Sequence, residues 1–211
     1  MKKWISWLLV AVLLLSLTAC GEKKPADTNT DEKPATSRAI TDAEKAEIQA
    51  FLNDPANNGF VGYHYYTAPE KASPHAIFYD GAGVGTFGTA DWSEQEKEAV
   101  LAAAGWDAYY NPPLKISRSE VERVLHEKLG LSSKELETNL NESFCYVEAY
   151  DSYYMMHGDT NSTFISVTVG KIEPNDRYVV EYTFDSVSEE HGVVTLLKTN
   201  SGFQFVSNLK K

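Results

Sequence analysis

An α+β fold is predicted, with N-terminal helices packed on a C-terminal curved antiparallel sheet, and three observations predict it. Four of the S/T-x-x-E signatures between residues 41 and 135 stand before helix-forming stretches, each able to satisfy the orphan amides of a helix start. From Ser143 onward the apolar period changes to two, the period of half-buried strands. The late strands are joined by short connections, which suit an antiparallel meander and not parallel crossovers.

Taken in order, Thr41 with Glu44, Ser93 with Glu96, Ser117 with Glu120 and Ser132 with Glu135 place helices over 42–52, 94–104, 118–129 and 133–139. Ile116 with Val121 and Leu131 with Leu136 are spaced as hydrophobic staples, and Gly105 and Gly130 stand where helices end. Val121, Val124, Leu125 and Leu129 form one apolar stripe for a core. Phe60 to Tyr66 and Ala76 to Asp80 read as short strands or extended segments. Strands follow over 163–172, 177–184, 191–198 and 203–208, separated by Glu173-Pro174-Asn175-Asp176, by Ser186 to Glu190 and by Asn200-Ser201-Gly202. Tyr178, Val180, Tyr182 and Phe184 share one face. In element order and final hairpin, such a sheet wrapped around helices resembles the cystatin-like or nuclear-transport-factor-2-like cone.

The first residues carry a different message. Met1 to Cys20 has Lys2 and Lys3, an apolar run from Trp4 to Leu17, then Thr18, Ala19 and Cys20. That order is a secretory signal, and the apolar stretch is short for the ~20 residues of a spanning helix. Leu17-Thr18-Ala19-Cys20 resembles the lipobox of bacterial lipoproteins. The resemblance implies cleavage before Cys20, diacylglycerol on its thiol and attachment to the bilayer on the extracytoplasmic face of the cell membrane. Residues 1–19 are then the signal peptide, 20–39 the lipidated cysteine with a flexible tether, and 40–211 a single α+β domain. The tether has no large apolar residue, so nothing in it can build a core. Lipobox, tether and acidic domain together are similar to uncharacterised surface lipoproteins of Gram-positive Firmicutes.

Charge narrows the partners. Residues 40–211 hold 13 basic and 26 acidic side chains, a balance that repels polyphosphate and argues against nucleic acid. With Cys20 acylated, Cys145 has no disulfide partner in the chain; its place in Phe144-Cys145-Tyr146-Val147 suits a small buried hydrophobe.

Most chemical motifs fail on context. Gly83-Val84-Gly85-Thr86-Phe87-Gly88 is a literal G-x-G-x-x-G, but its helix cap, Ser93, comes too late for helix amides to face a pyrophosphate. Glycine-permitted turns explain it better. His126-Glu127 lacks the second histidine of a zincin, since Gly130 stands there. Asp159, Asn161 and Thr163 begin like a calcium loop, but Phe164 and Gly170 stand where Gly and Glu are required. No catalytic residue, cofactor or metal site is therefore assigned.

Aromatic residues are the remaining lead. Tyr63, Tyr65 and Tyr66, then Trp106, Tyr109 and Tyr110, then Tyr150, Tyr153 and Tyr154 form three clusters; in extended chain, neighbours point to opposite faces, so these serve as core rim or line a groove. If one functional surface exists, it is expected where Tyr150, Tyr153, Tyr154, His157 and Asp159 meet the loop carrying Gly83 and Gly85. The expected function is a non-catalytic module for an envelope carbohydrate, peptide or protein. A hydrolase using carboxylates or His157, and a passive subunit of an envelope complex, are the rivals.

Overall fold

The computed structural model describes residues 36–158, 164–184 and 191–211. Cys20 and the remainder of the leader and tether up to residue 35 lie outside these, as does the 159–163 segment with Asp159.

Helices begin where the capping chemistry predicts. Thr41 caps α1 (Asp42–Leu52): its hydroxyl accepts from the Glu44 amide, and the Glu44 carboxylate takes the Thr41 amide at 2.8 Å. Ser117 and Glu120 do the same for α4 (Arg118–Leu129). At α3 (Glu94–Ala104) the box is half closed. Ser93 accepts the Glu96 amide, but the Glu96 side chain turns inward to Lys115 and Tyr154. Gly105 and Gly130 end α3 and α4 at φ 68° and 70°, the left-handed turn that favours glycine there.

Two predicted elements change type. Ala76 to Asp80 is not extended: Pro74–Tyr79 is a short helix, α2, with Ser73 accepting the Ala76 amide and Pro74 at the first turn. Proline costs nothing there, because its missing amide would be an orphan anyway. The turn before it, Pro55–Phe60, starts the same way from Asp54. The two pack so closely that a Cβ on Gly59 would lie 2.5 Å from the Ala76 carbonyl. The helix expected over 133–139 stops after one turn, Ser133–Glu135. Leu136 goes extended to reach the core, and the Glu137 amide bonds the Glu70 carbonyl at 2.7 Å.

The late strands form the predicted meander: β6 (Ile165–Glu173), β7 (Arg177–Phe184), β8 (His191–Thr199) and β9 (Gly202–Lys210), all antiparallel. β1 (Arg38–Ala39) adds a short fifth strand beside β6. Its Arg38 forks onto Glu44 at 2.6 and 2.9 Å, and the guanidinium holds that carboxyl down to about 2. Tyr178, Val180, Tyr182 and Phe184 are buried in one core with Ile48, Leu52, Val124 and Leu125 of the helices. Much of the open edge of β6 is covered by side chains four apart along α1 and its C-cap, Asn53. Lys45 donates to the Thr168 carbonyl, Gln49 accepts the Val167 amide, and Asn53 bonds both the amide and the carbonyl of Ile165. A polar helix stripe thus replaces another strand and blocks edge pairing.

The α+β fold holds a second sheet besides the meander. A second, four-stranded antiparallel sheet has the order β2 (Thr86–Phe87), β3 (Pro113–Ser117), β5 (Ser152–Met156), β4 (Cys145–Val147). It lies between two apolar groups. Tyr153 and Met155 face the main core, while Tyr154 joins Trp92, Val100 and Val147. With both faces covered, the strands lose the alternation by which an exposed sheet is recognised.

Candidate functional site

The residues predicted for one surface separate along β5. Tyr150 is half-buried under the Lys115 ammonium, 5.9 Å from its ring centre. Tyr153 lies in the main core. Tyr154 is fully buried on the opposite face, its hydroxyl donating to Glu96 at 2.7 Å and pushed far above its ordinary range by burial and that carboxylate. At the far end His157 stacks on Tyr79 at 4.6 Å and bonds its carbonyl through Nε2 at 2.8 Å. The Gly158 amide donates to the Tyr79 hydroxyl. The imidazole is an anchor to the end of α2.

The glycine loop does reach His157, through an edge contact from the exposed Phe87 at 4.8 Å. Its glycines serve packing. A Cβ on Gly83 would sit 2.9 Å from that of Ala56, and one on Gly85 2.7 Å from the Lys115 carbonyl. Phe87, Asn111, Pro112, His157 and Gly158 border a hollow of about 390 Å³ there. Tyr150, Tyr153 and Tyr154 do not line it.

A larger cavity, about 570 Å³, opens at the other end of β5, against α4. Its construction starts at the Ser117 cap, which fixes Arg118 as the first helical residue and sets Glu122 one turn later on the same face. Arg118 is clamped to the turn before β5. Its amide donates to the Asp151 carbonyl, and its Nε lies 2.9 Å from the Asp151 carboxylate. The Tyr146 hydroxyl donates to that carboxylate at 2.5 Å, which pushes the phenol upward, and the Tyr146 ring lies 6.0 Å from the guanidinium. Glu122 accepts both the amide and the hydroxyl of Ser133, binding the wall after α4 to the helix. Leu136, Leu140 and Tyr153 are the buried parts of the lining, and Lys134, Glu137 and Asn139 its exposed parts. Burial pushes the Tyr153 hydroxyl up, so it stays a neutral hydrogen-bonding group at pH 7.

This volume suits a small ligand, and Arg118 and Glu122 are already oriented before one arrives. Of the predicted residues only Tyr153 lines the cavity. Arg118, Glu122, Lys134 and Glu137 were not singled out. The spacing of Arg118 and Glu122 behind the Ser117 cap is the one local signal for them.

The arrangement nearest to hydrolytic chemistry is a separate pair. His64 Nε2 lies 2.8 Å from the Asp80 carboxylate. Burial lowers the imidazole pKa despite that partner, so it is neutral at pH 7 and donates an ordinary hydrogen bond. The space beside the pair is only about 30 Å³, room for a water and not a substrate. Burial also raises the Cys145 thiol, which disfavours the reactive thiolate. Among the described residues no cluster of three or more His, Cys, Asp or Glu is placed to hold a metal, and no helix is long and apolar enough to cross a membrane. In comparisons with known proteins, no family model, curated protein or solved structure matches the chain.

Proposed function

We propose that this protein is a lipoprotein held on the extracytoplasmic face of the cell membrane through acylated Cys20, and that its domain is a non-catalytic module binding a small envelope ligand. The observation that carries the binding role is the cavity between α4 and the 133–140 segment, preformed and lined by fixed charges of both signs. The lipobox sequence carries the anchoring. One acyl chain binds a bilayer only marginally, at about 0.8 kcal/mol per buried methylene, so the two chains of a diacylglycerol are what make residence stable.

Cys20→Ser is expected to abolish labelling by a fatty-acid analogue and to move the protein out of the detergent phase. Equal labelling of variant and wild type would overturn the anchoring. Binding is tested by a thermal-shift screen of the detergent-solubilised full chain against cell-wall fragments, sugars and peptides. A ligand at a hundred times its Kd adds about 2.7 kcal/mol of stability and raises the midpoint accordingly. Lys134→Trp, at an exposed position on the lining, is expected to weaken that ligand at least tenfold with the free protein's melting unchanged. If Phe87→Ala removes the shift while Lys134→Trp keeps it, the ligand sits by His157 and the cavity reading fails.

A further inference from the structure

We infer that the cavity selects a small zwitterion, an amino acid or short peptide carrying both a free ammonium and a free carboxylate; this rests on the cavity being the binding site. Four charged side chains line the space, two of each sign, and each has unused capacity. The Nε of Arg118 lies 2.9 Å from Asp151, and its two Nη groups make no hydrogen bond among the described residues. A guanidinium fixed at Nε with both Nη groups open is a fork for a carboxylate, which it can grip through two parallel bonds. Lys134 is exposed and makes no ion pair among the described residues, so it adds a second positive charge to the lining.

The acidic side is equally available. Glu122 receives two bonds from Ser133, but the two oxygens of a carboxylate offer about four acceptor directions. The one ion pair of Glu137 among the described residues is with Lys71, 3.9 Å away between two well-exposed side chains, a pairing of little strength. Arg118 and Glu122 lie four residues apart on α4, about 6 Å along its axis. Two extended residues span about 7 Å, so the termini of a dipeptide match that interval. Leu136, Leu140 and Tyr153 offer apolar surface for a short side chain.

Charge of both signs decides the specificity. A simple carboxylate entering the cavity would meet Glu122 and Glu137. A simple amine would meet Arg118 and Lys134. A neutral sugar could hydrogen-bond these groups through its hydroxyls but would bring no opposite charge to any of the four, a shortfall that grows with desolvation. A zwitterion matches both sides.

The test uses the full chain in detergent micelles with alanyl-alanine, alanyl-leucine, their N-acetyl forms and their C-terminal amides, followed by amide chemical shifts in 118–122 and 133–140. The free dipeptides are expected to move those signals saturably, and blocking either end should weaken binding at least tenfold. Arg118→Gln should bring the free acid and the amide to within twofold of each other. Equal binding of free and blocked peptides, or no binding by any of them, overturns the zwitterion assignment. In either case a different ligand from the thermal-shift screen that is lost in Lys134→Trp leaves the cavity reading standing, so the two failures are separable.

Discussion

Asn208→Ala is expected to lower the stability of the domain by about 3 kcal/mol, one of the two largest effects anticipated for a single substitution. Asn208 sits fully buried on β9. Its Nδ2 donates to the carbonyls of His64 at 2.8 Å and Gly62 at 3.3 Å, and its Oδ1 accepts the Tyr182 hydroxyl at 2.7 Å. Its backbone exchanges both bonds with Tyr66. The side chain therefore ties the 62–66 segment to the middle of the meander. The Tyr182 ring reaches it because Gly192 leaves the space; a Cβ there would lie 2.2 Å from the ring.

Alanine would delete three hydrogen bonds and leave the part-buried His64 carbonyl without its partner. An unsatisfied buried group costs about 1–3 kcal/mol, and Tyr182 retains its bond to Gly62, which keeps the sum near 3. Asn208→Asp should be worse than alanine, since it sets an acceptor against two carbonyl oxygens and buries a charge. Urea unfolding with an unchanged m-value would measure both. A loss below 1 kcal/mol for alanine would mean that the segment is held by its backbone bridge alone.

Legibility in the sequence followed the range of the forces involved. The starts of α1, α3 and α4 could be read to the residue because a capping box is a contact among four consecutive residues. The meander could be read because one face of it is buried and the other wet, which imposes alternation. The helix at 74–79 could have been read from Ser73-Pro74, but its apolar Ile77-Phe78-Tyr79 run looks equally like a strand. β3 was hidden behind Pro112-Pro113; proline is tolerated there because Pro113 opens the strand. The shortened helix at Ser133 shows a tertiary contact, Glu137 to Glu70, overriding a sound local start.

The site divides the same way. Placing Arg118 and Glu122 on one face of α4 needs only the cap and the helical period. Closing the cavity needs Asp151 and Ser133, which approach α4 from 33 and 11 residues away along the chain. Adjacent tyrosines give the direction of the side chains but not what covers them. Tyr153 and Tyr154 do point to opposite faces, but both faces are covered.

Glu96→Ala is the second large expected effect, about 3 kcal/mol, and it acts on the second sheet. Glu96 is only 6% exposed, and one of its carboxylate oxygens takes both the Tyr154 hydroxyl at 2.7 Å and the Lys115 ammonium at 2.6 Å. It thereby joins α3 to β3 and β5. Breaking a buried pair by removing one partner costs about 3–5 kcal/mol, because the other charge is left behind. Lys115 is 28% exposed at its side chain, so it can turn toward water, which places the expected loss at the lower end. The orphaned Tyr154 hydroxyl has no such escape, since that residue is fully buried. Glu96→Gln keeps an acceptor for Tyr154 and should lose only about 1–2 kcal/mol, the part due to charge. Adding Lys115→Met to Glu96→Ala should restore part of the alanine loss, giving a coupling of about 1–2 kcal/mol in a double-mutant cycle. Additive losses in that cycle would sink the account, because they would show that Glu96 and Lys115 are stabilised independently and that the second sheet is held by its apolar faces alone.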